Sequence, residues 1–256
     1  RGASDTTAVA LAVAMQAKRC EIYTDVDGIY TTDPRLTDRA RKLAEIGFLE
    51  MLEMAALGAK MNPRSIELGA VYDMPIYVAS SFSDEPGTLI HGGEQTMEVR
   101  KAVTGIAVDR NVGKITVRGV VDRPGIAAGL LQPLADAGIS IDVVLQNTSS
   151  DGTTDFTFTV AQADVDAAAE IERNQTNVEF AEVVAGTDLA KVSIVGTGME
   201  NAPGYAARMF STLAAAGVNI DMITTSEIRI TTIIERSQVQ NAVEALHDAF
   251  ELEKTG

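Results

Sequence analysis

The chain repeats itself. Lys114-Ile115-Thr116-Val117 leads to Pro124-Gly125-Ile126-Ala127-Ala128 and then to Leu134-Ala135-Asp136-Ala137-Gly138-Ile139-Ser140-Ile141-Asp142. Lys191-Val192-Ser193-Ile194 leads in the same way to Pro203-Gly204-Tyr205-Ala206-Ala207 and to Leu213-Ala214-Ala215-Ala216-Gly217-Val218-Asn219-Ile220-Asp221. Gly204 falls 79 positions after Gly125, and Asp221 falls 79 after Asp142, so two copies of one unit are present. Each copy reads strand, Pro-Gly, helix, Gly stop, strand, strand (156–160; 228–234) and helix (165–172; 239–250). That order predicts a small α+β sandwich of ferredoxin-like type, formed twice. Pro133 falls inside the first helix of the first copy, where it deletes a hydrogen bond and is expected to kink the helix.

The first ninety residues follow another pattern. Ser4 or Asp5 caps an alanine-rich helix over 6–18, a buried strand follows over 19–24, and apolar residues at helical spacing mark a helix over 48–60. Asn62-Pro63 opens a second helix over 64–71, residues 75–79 return as a strand, and 88–90 form a last short one after the turn-rich 80–87. This alternation predicts a three-layer α/β domain over 1–92, with a linker over 93–102. Between the first strand and the next helix stands Thr24-Asp25-Val26-Asp27-Gly28-Ile29-Tyr30-Thr31-Thr32-Asp33-Pro34-Arg35. Hydroxyls, carboxylates, a glycine turn and an arginine at the carboxyl end of a strand are suited to phosphate, because α/β folds gather ligands there.

Composition removes other classes. Formal net charge is −15, with 36 acidic and 21 basic residues, which disfavours a nucleic acid partner. The one cysteine, Cys20, cannot make an internal disulfide and reads as a small buried hydrophobe. The two histidines, His91 and His247, are expected at the surface, with no metal site around them. No apolar run is long enough to span a membrane and residues 1–20 lack the order of a secretory signal, so a cytoplasmic location is expected.

The Thr24–Arg35 run resembles the nucleotide-binding segment of the amino acid kinase family. Arg1-Gly2-Ala3-Ser4-Asp5-Thr6-Thr7-Ala8 and Gly58-Ala59-Lys60 resemble the aspartate kinase branch, whose usual wording is Gly-Arg-Gly-Gly-Ser-Asp-Thr-Thr-Ala and Gly-Ala-Lys. The repeats resemble ACT domains, the amino-acid-sensing modules of those enzymes, including Gln146-Asn147 and Thr225-Ser226-Glu227-Ile228. The resemblance implies ATP with Mg2+ as cofactor and L-aspartate as substrate. It places Arg1 and Ser4 on the substrate and Asp5 at the reaction centre, organising the transferring phosphate. It puts Thr24, Asp25, Tyr30, Thr31, Thr32, Asp33, Pro34, Arg35, Lys60 and Met61 on ATP, with no resident protein-bound metal. Lysine, threonine or both are implied as effectors. Their carboxylate would meet the helix start at Gly125, Ile126 and Ala127, and their ammonium would meet Asp122, Asp142, Gln146 and Asn147 in the first unit, or Asn219, Ile220 and Asp221 in the second.

In the family the first ACT unit is inserted within the second, so 103–113 and 191–256 would form the second and 114–190 the first, and pairing through ACT domains implies a homodimer or higher oligomer. Two departures stand out. Gly58-Ala59-Lys60-Met61-Asn62-Pro63-Arg64-Ser65 is one residue shorter than the family wording and lacks its histidine, and the family's Lys-Phe-Gly-Gly-Thr-Ser segment does not occur, so the chain is expected to lack the front half of its kinase domain. The competing readings are a noncatalytic amino-acid-binding regulatory subunit and another amino acid kinase such as glutamate 5-kinase.

Overall fold

The structure, a computed structural model, describes residues 3–59, 61–93, 102–148, 152–200 and 202–254. It divides into two compact units: Arg1–Asp109 with Lys191–Ile234 and Gln238–Gly256, and Arg110–Ala190 with Glu235–Ser237.

The first unit begins with α1 (Ala3–Ala14), β1 (Cys20–Thr24), β2 (Glu45–Gly47), α2 (Phe48–Ala56), α3 (Pro63–Val71), β3 (Ile76–Ser80) and β4 (Thr88–His91). The sheet runs β1-β3-β4-β2, with β1 parallel to β3, β4 antiparallel to β3, and β2 parallel to β4. Ile46, Met51, Ile66, Ile76 and Ile90, all without exposed surface, form the centre of its core. α3 starts as its residues dictate: Asn62 Oδ1 accepts the Arg64 amide at 3.0 Å and Pro63 occupies the first turn, where no amide is needed. α2 stops at Ala56 rather than 60, because Gly58 takes φ 106°, a left-handed conformation that ends helices. β2 is three residues long and has no periodic signal of its own.

The rest comprises β5 (Gly105–Val121), α4 (Ile126–Asp136), β6 (Ile141–Thr148), β7 (Thr153–Val160), α5 (Val165–Arg173), β8 (Glu182–Val195), α6 (Tyr205–Ala215), β9 (Met222–Thr225), β10 (Arg229–Glu235) and α7 (Val239–Ala249). Strands β5 and β8 are long enough to serve both units. In the second unit the order is β6-β7-β5-β8, and Ile115, Val117, Phe156 and Phe158 face Leu130 and Leu134 of α4 in one core. In the first unit β8 continues to β10 and β9, and the Thr104 amide donates to Val195 O at 2.7 Å. The segment 103–113 expected to belong to the second unit and the strand expected at 114–117 are joined in β5, which runs unbroken from Gly105 to Val121.

Pro133 lies within α4, which runs on past it to Asp136. Proline has no amide, so the Gly129 carbonyl one turn earlier loses its helical donor. Gln175 Nε2 supplies one instead, at 3.3 Å. Beside it, Glu172 has no exposed surface, and among the described residues both carboxylate oxygens lack a hydrogen-bond partner. Burial pushes its carboxyl up to about 7, with the Gln175 side chain acting more weakly in the opposite direction.

A buried acid whose folded pKa is raised is stable in its protonated form. Its contribution is fully present below the unfolded value near 4.5 and is lost as pH rises to about 7. Glu172→Gln is therefore expected to raise stability at pH 8 by about 1–3 kcal/mol, the cost of an unsatisfied buried group, and to change little at pH 4.5. Urea denaturation at both pH values checks this; an equal effect at each pH would contradict it.

Candidate functional site

Thr24 and Asp25 stand at the carboxyl end of β1, where the Thr24 hydroxyl lies 3.2 Å from Asp25 Oδ1. The chain then folds as a hairpin. Leu43 N–H donates to Ile29 O, Thr31 N–H to Arg41 O, and Tyr30 bridges Lys42. Tyr30 turns its hydroxyl to the Asp27 carboxylate at 3.1 Å, and Lys42 Nζ reaches the same group at 3.3 Å. Burial opposes ionisation of Asp27, but the bonds from Tyr30 and Lys42 outweigh it and hold its carboxyl below the usual range. At the tip, Arg35 forks onto Asp33, with Nη2–Oδ2 at 2.6 Å. Arg35 is 84% exposed, and such a pair is worth less than about 1 kcal/mol, so a phosphate can draw this guanidinium away cheaply.

An open cleft of about 460 Å³ lies at the ends of β1 and β3, lined by Tyr23, Ser80, Ser81, Phe82, Ser83 and Asp84. Ser81 fixes it beside the hairpin by donating from its amide and hydroxyl to Thr24 O, at 2.8 and 2.9 Å. The turn-rich 80–87, read from sequence only as the close of the domain, forms this wall, with Phe82 84% exposed. Ser4 and Asp5 sit together in the first turn of α1, the hydroxyl 3.3 Å from Asp5 Oδ1. Arg1 and Lys60 lie outside the described residues. Met61 is buried in the core at 6% exposure.

Thr31 and Thr32 point inward, with 0% and 3% exposure. Thr31 Oγ1 accepts the Arg41 amide at 3.0 Å and lies 3.0 Å from His247 Nε2 on α7, while its carbonyl accepts the Ile106 amide of β5 at 2.6 Å. The hairpin is thus held by both ends of the second repeat. Glu50 of α2, 1% exposed, adds a second tie by accepting from Thr104 Oγ1 (2.7 Å), Thr197 N (2.9 Å) and Thr197 Oγ1 (3.0 Å). Arg229 pairs with Glu53 at 2.6 Å. His247, expected at the surface, is completely buried, because the periodicity of α7 turns it inward with Val243 and Leu246. Burial pushes its imidazole below the usual histidine range, against the pull of Glu253.

In the repeats, Gly125 and Gly204 open α4 and α6 with φ 96° and 103°, and a Cβ at either would meet nothing within 4 Å among the described residues. Each leaves open space at a helix start. Asp122 is exposed there, with Ile126 buried and Ala127 half-buried. Gln146 and Asn147 are exposed on β6, opposite Phe156 and Asp155, and Asp142 lies on the same strand. Asn219, Ile220 and Asp221 precede β9, the Asp221 amide donating to Ile233 O at 2.8 Å. β6 and β9 are the outer strands in the order given above.

The amino acid kinase family pattern matches residues 1–80, and ACT domain patterns match 115–183 and 192–250. The chain is 49% identical to the aspartate kinase of Pseudomonas fluorescens over 99% of its own length and 62% of that protein. It aligns with E. coli aspartokinase III in complex with aspartate and ADP (R-state) at TM-score 0.80 and 29% identity, over 97% of this chain and 56% of the other. The regulatory subunit of aspartate kinase from Thermus thermophilus aligns at TM-score 0.55 and 40% identity, over 59% of this chain and 99% of that one. The chain belongs to the aspartate kinase family. It spans 62% of the length of the curated relative it matches.

Thr31 separates two roles that one residue type could fill. Thr31→Val leaves the Arg41 amide and His247 Nε2 without their hydroxyl and is expected to cost about 1–3 kcal/mol, whereas Thr31→Ser keeps the hydroxyl and costs less. Denaturant midpoints of the two variants measure the difference, and equal losses would show that the hydroxyl does not hold the hairpin.

Proposed function

We propose that the chain carries the nucleotide-handling and effector-sensing parts of an aspartate kinase, which transfers the γ-phosphate of ATP to the β-carboxylate of L-aspartate and yields ADP and 4-phospho-L-aspartate. This reaction opens the synthesis of lysine, threonine and methionine in the cytoplasm. The observation that carries the reading is the hairpin 24–43, which presents Asp25 and Arg35 outward while Thr31 is bonded to β5 and α7 of the second repeat. A nucleotide would fit the cleft beside Thr24, where the hydroxyls of Ser80, Ser81 and Ser83 and the Asp84 carboxylate stand with the exposed Phe82 ring. Phosphoryl transfer needs positioning and charge neutralisation more than covalent help. Magnesium would supply that neutralisation, with Asp5 and Asp25 as the carboxylates suited to hold it. Arg1 and Ser4 would grip aspartate, Arg35 and Lys60 would meet the phosphates, and Tyr30 would leave Asp27 to reach the adenosine.

Lysine, threonine or both would bind the ACT pair and lower activity by shifting a two-state equilibrium. E. coli aspartokinase III has also been solved in complex with lysine and aspartate (T-state), and this chain aligns with it at TM-score 0.78 and 28% identity over 98% of its length. The ACT units would run over 114–190 and over 103–113 with 191–256, and pair through β6 or β9 into a dimer. The alignment with a regulatory subunit favours one alternative, a noncatalytic sensor.

Nucleotide binding separates the two. In calorimetric titration MgADP is expected to bind the chain, and Asp25→Ala to weaken it about tenfold or more; an absence of binding would favour the sensor. Because the Lys-Phe-Gly-Gly-Thr-Ser segment is not among these residues, the 256-residue chain is expected to show no aspartate phosphorylation by itself, and turnover above the no-enzyme blank would contradict this. Lysine or threonine at a hundredfold excess over Kd should stabilise the chain by about 2.7 kcal/mol in thermal melts, with alanine and glutamate inert. Gln146→Ala should raise the lysine or threonine concentration needed by about tenfold; no change would remove Gln146 from the site.

A further inference from the structure

His247 and Glu253 face each other. His247 Nδ1 and Glu253 Oε2 are 3.8 Å apart, both atoms are buried, and neither has a hydrogen-bond partner among the described residues. With an ionised carboxylate and an imidazole lone pair, two acceptors would oppose each other, so a positive species belongs between them. Asp248 joins the group: one ligand atom from each of the three residues lies within 4.8 Å of the others. We propose that His247 Nδ1, Glu253 and Asp248 form a binding site for a divalent transition cation of the zinc type, at the junction of α7 with the hairpin.

The donor set suits such an ion, because zinc takes imidazole nitrogen and carboxylate oxygen at about 2.0–2.2 Å. Two such ligands at a tetrahedral centre stand about 3.4 Å apart, so the observed pair needs to close by only a few tenths of an ångström. The outer shell is already built. A ligating histidine donates its other ring N–H to a neighbour, and Nε2 lies 3.0 Å from Thr31 Oγ1. That oxygen has two lone pairs, one facing the Arg41 amide and the other free for Nε2–H, so its own proton is not required. Binding at Nδ1 thus fixes the imidazole as the Nε2–H tautomer.

Two cations face the site. Arg39 pairs with Asp248, and Arg41 Nε donates to Leu252 O at 3.3 Å. Arg39 and Asp248 are 43% and 52% exposed, so the ion can draw Asp248 from Arg39 at small cost. The ion would clamp the hairpin to the carboxy-terminal segment through His247 and Thr31, independently of any nucleotide.

Calorimetric titration of the full chain with zinc chloride tests this. One zinc per chain is expected, with Glu253→Gln and His247→Gln each weakening it about tenfold or more. The other imidazole beside a carboxylate, His91 with Glu45 at 3.2 Å, is the control: His91→Gln should leave zinc binding unchanged. Long-range 1H–15N spectra of the wild-type chain read the tautomer without any substitution. With one equivalent of zinc, His247 should carry its proton on Nε2 and show a shifted Nδ1. The absence of zinc binding, its loss in His91→Gln, equal affinity in Glu253→Gln, or a proton kept on Nδ1 would each overturn the proposal, the last showing a histidine–glutamate ion pair instead.

Discussion

Thr31 commits every polar atom it has. Its amide and hydroxyl oxygen meet Arg41, its carbonyl meets Ile106, and its hydroxyl meets His247. Arg41 belongs to the returning arm of the same hairpin, Ile106 to β5 and His247 to α7, so one residue sets the position of the hairpin relative to both chain segments of the second repeat. Leaving such buried groups unmade is costlier than the bonds themselves are strong. The hairpin therefore cannot move away from α7 without finding water or new partners for several polar atoms at once. Glu50, which receives three donors from Thr104 and Thr197, adds to the same joint.

Much of this was legible in the residues. The 79-residue offset announced the repeated unit, Asn62-Pro63 announced the start of α3, and the family wording pointed to the aspartate kinase family. What was not legible depends on contacts distant in sequence. β2 is too short to carry a period and exists because β4 is there to pair with it. The burial of Thr31 and Thr32 could not be read from a polar loop, since the surface that covers Thr31 is supplied by α7, more than two hundred residues later. His247 looked like a surface residue in a polar neighbourhood, although its place on the apolar stripe of α7 held the signal. Of the residues implied by resemblance, Arg1 and Lys60 lie outside the described set, and a Cβ at Gly125 would meet nothing within 4 Å among the described residues.

Pro133 shows how a local rule can be broken and repaired. The proline removes a helical donor, and α4 continues because Gln175, from the turn after α5, takes the place of the missing amide. The same neighbourhood contains Glu172 with its oxygens unpartnered among the described residues. A polar repair and a polar strain stand side by side.

The second unit is inserted in the chain between parts of the first, and this has a consequence for synthesis. A ribosome releases residues 110–190, nearly all of the second unit, before it releases α6, β9, β10 and α7. During that interval the α/β layer is already outside but lacks the partner of Thr31 and the donors that Thr197 gives to Glu50. Domains fold as units when their residues are available, so the later unit in numbering order is the earlier one to be completed. The nascent front half exposes a carboxylate and a hydroxyl built for burial until the last helix arrives, and that waiting time is when chaperone capture and misassembly have their opening.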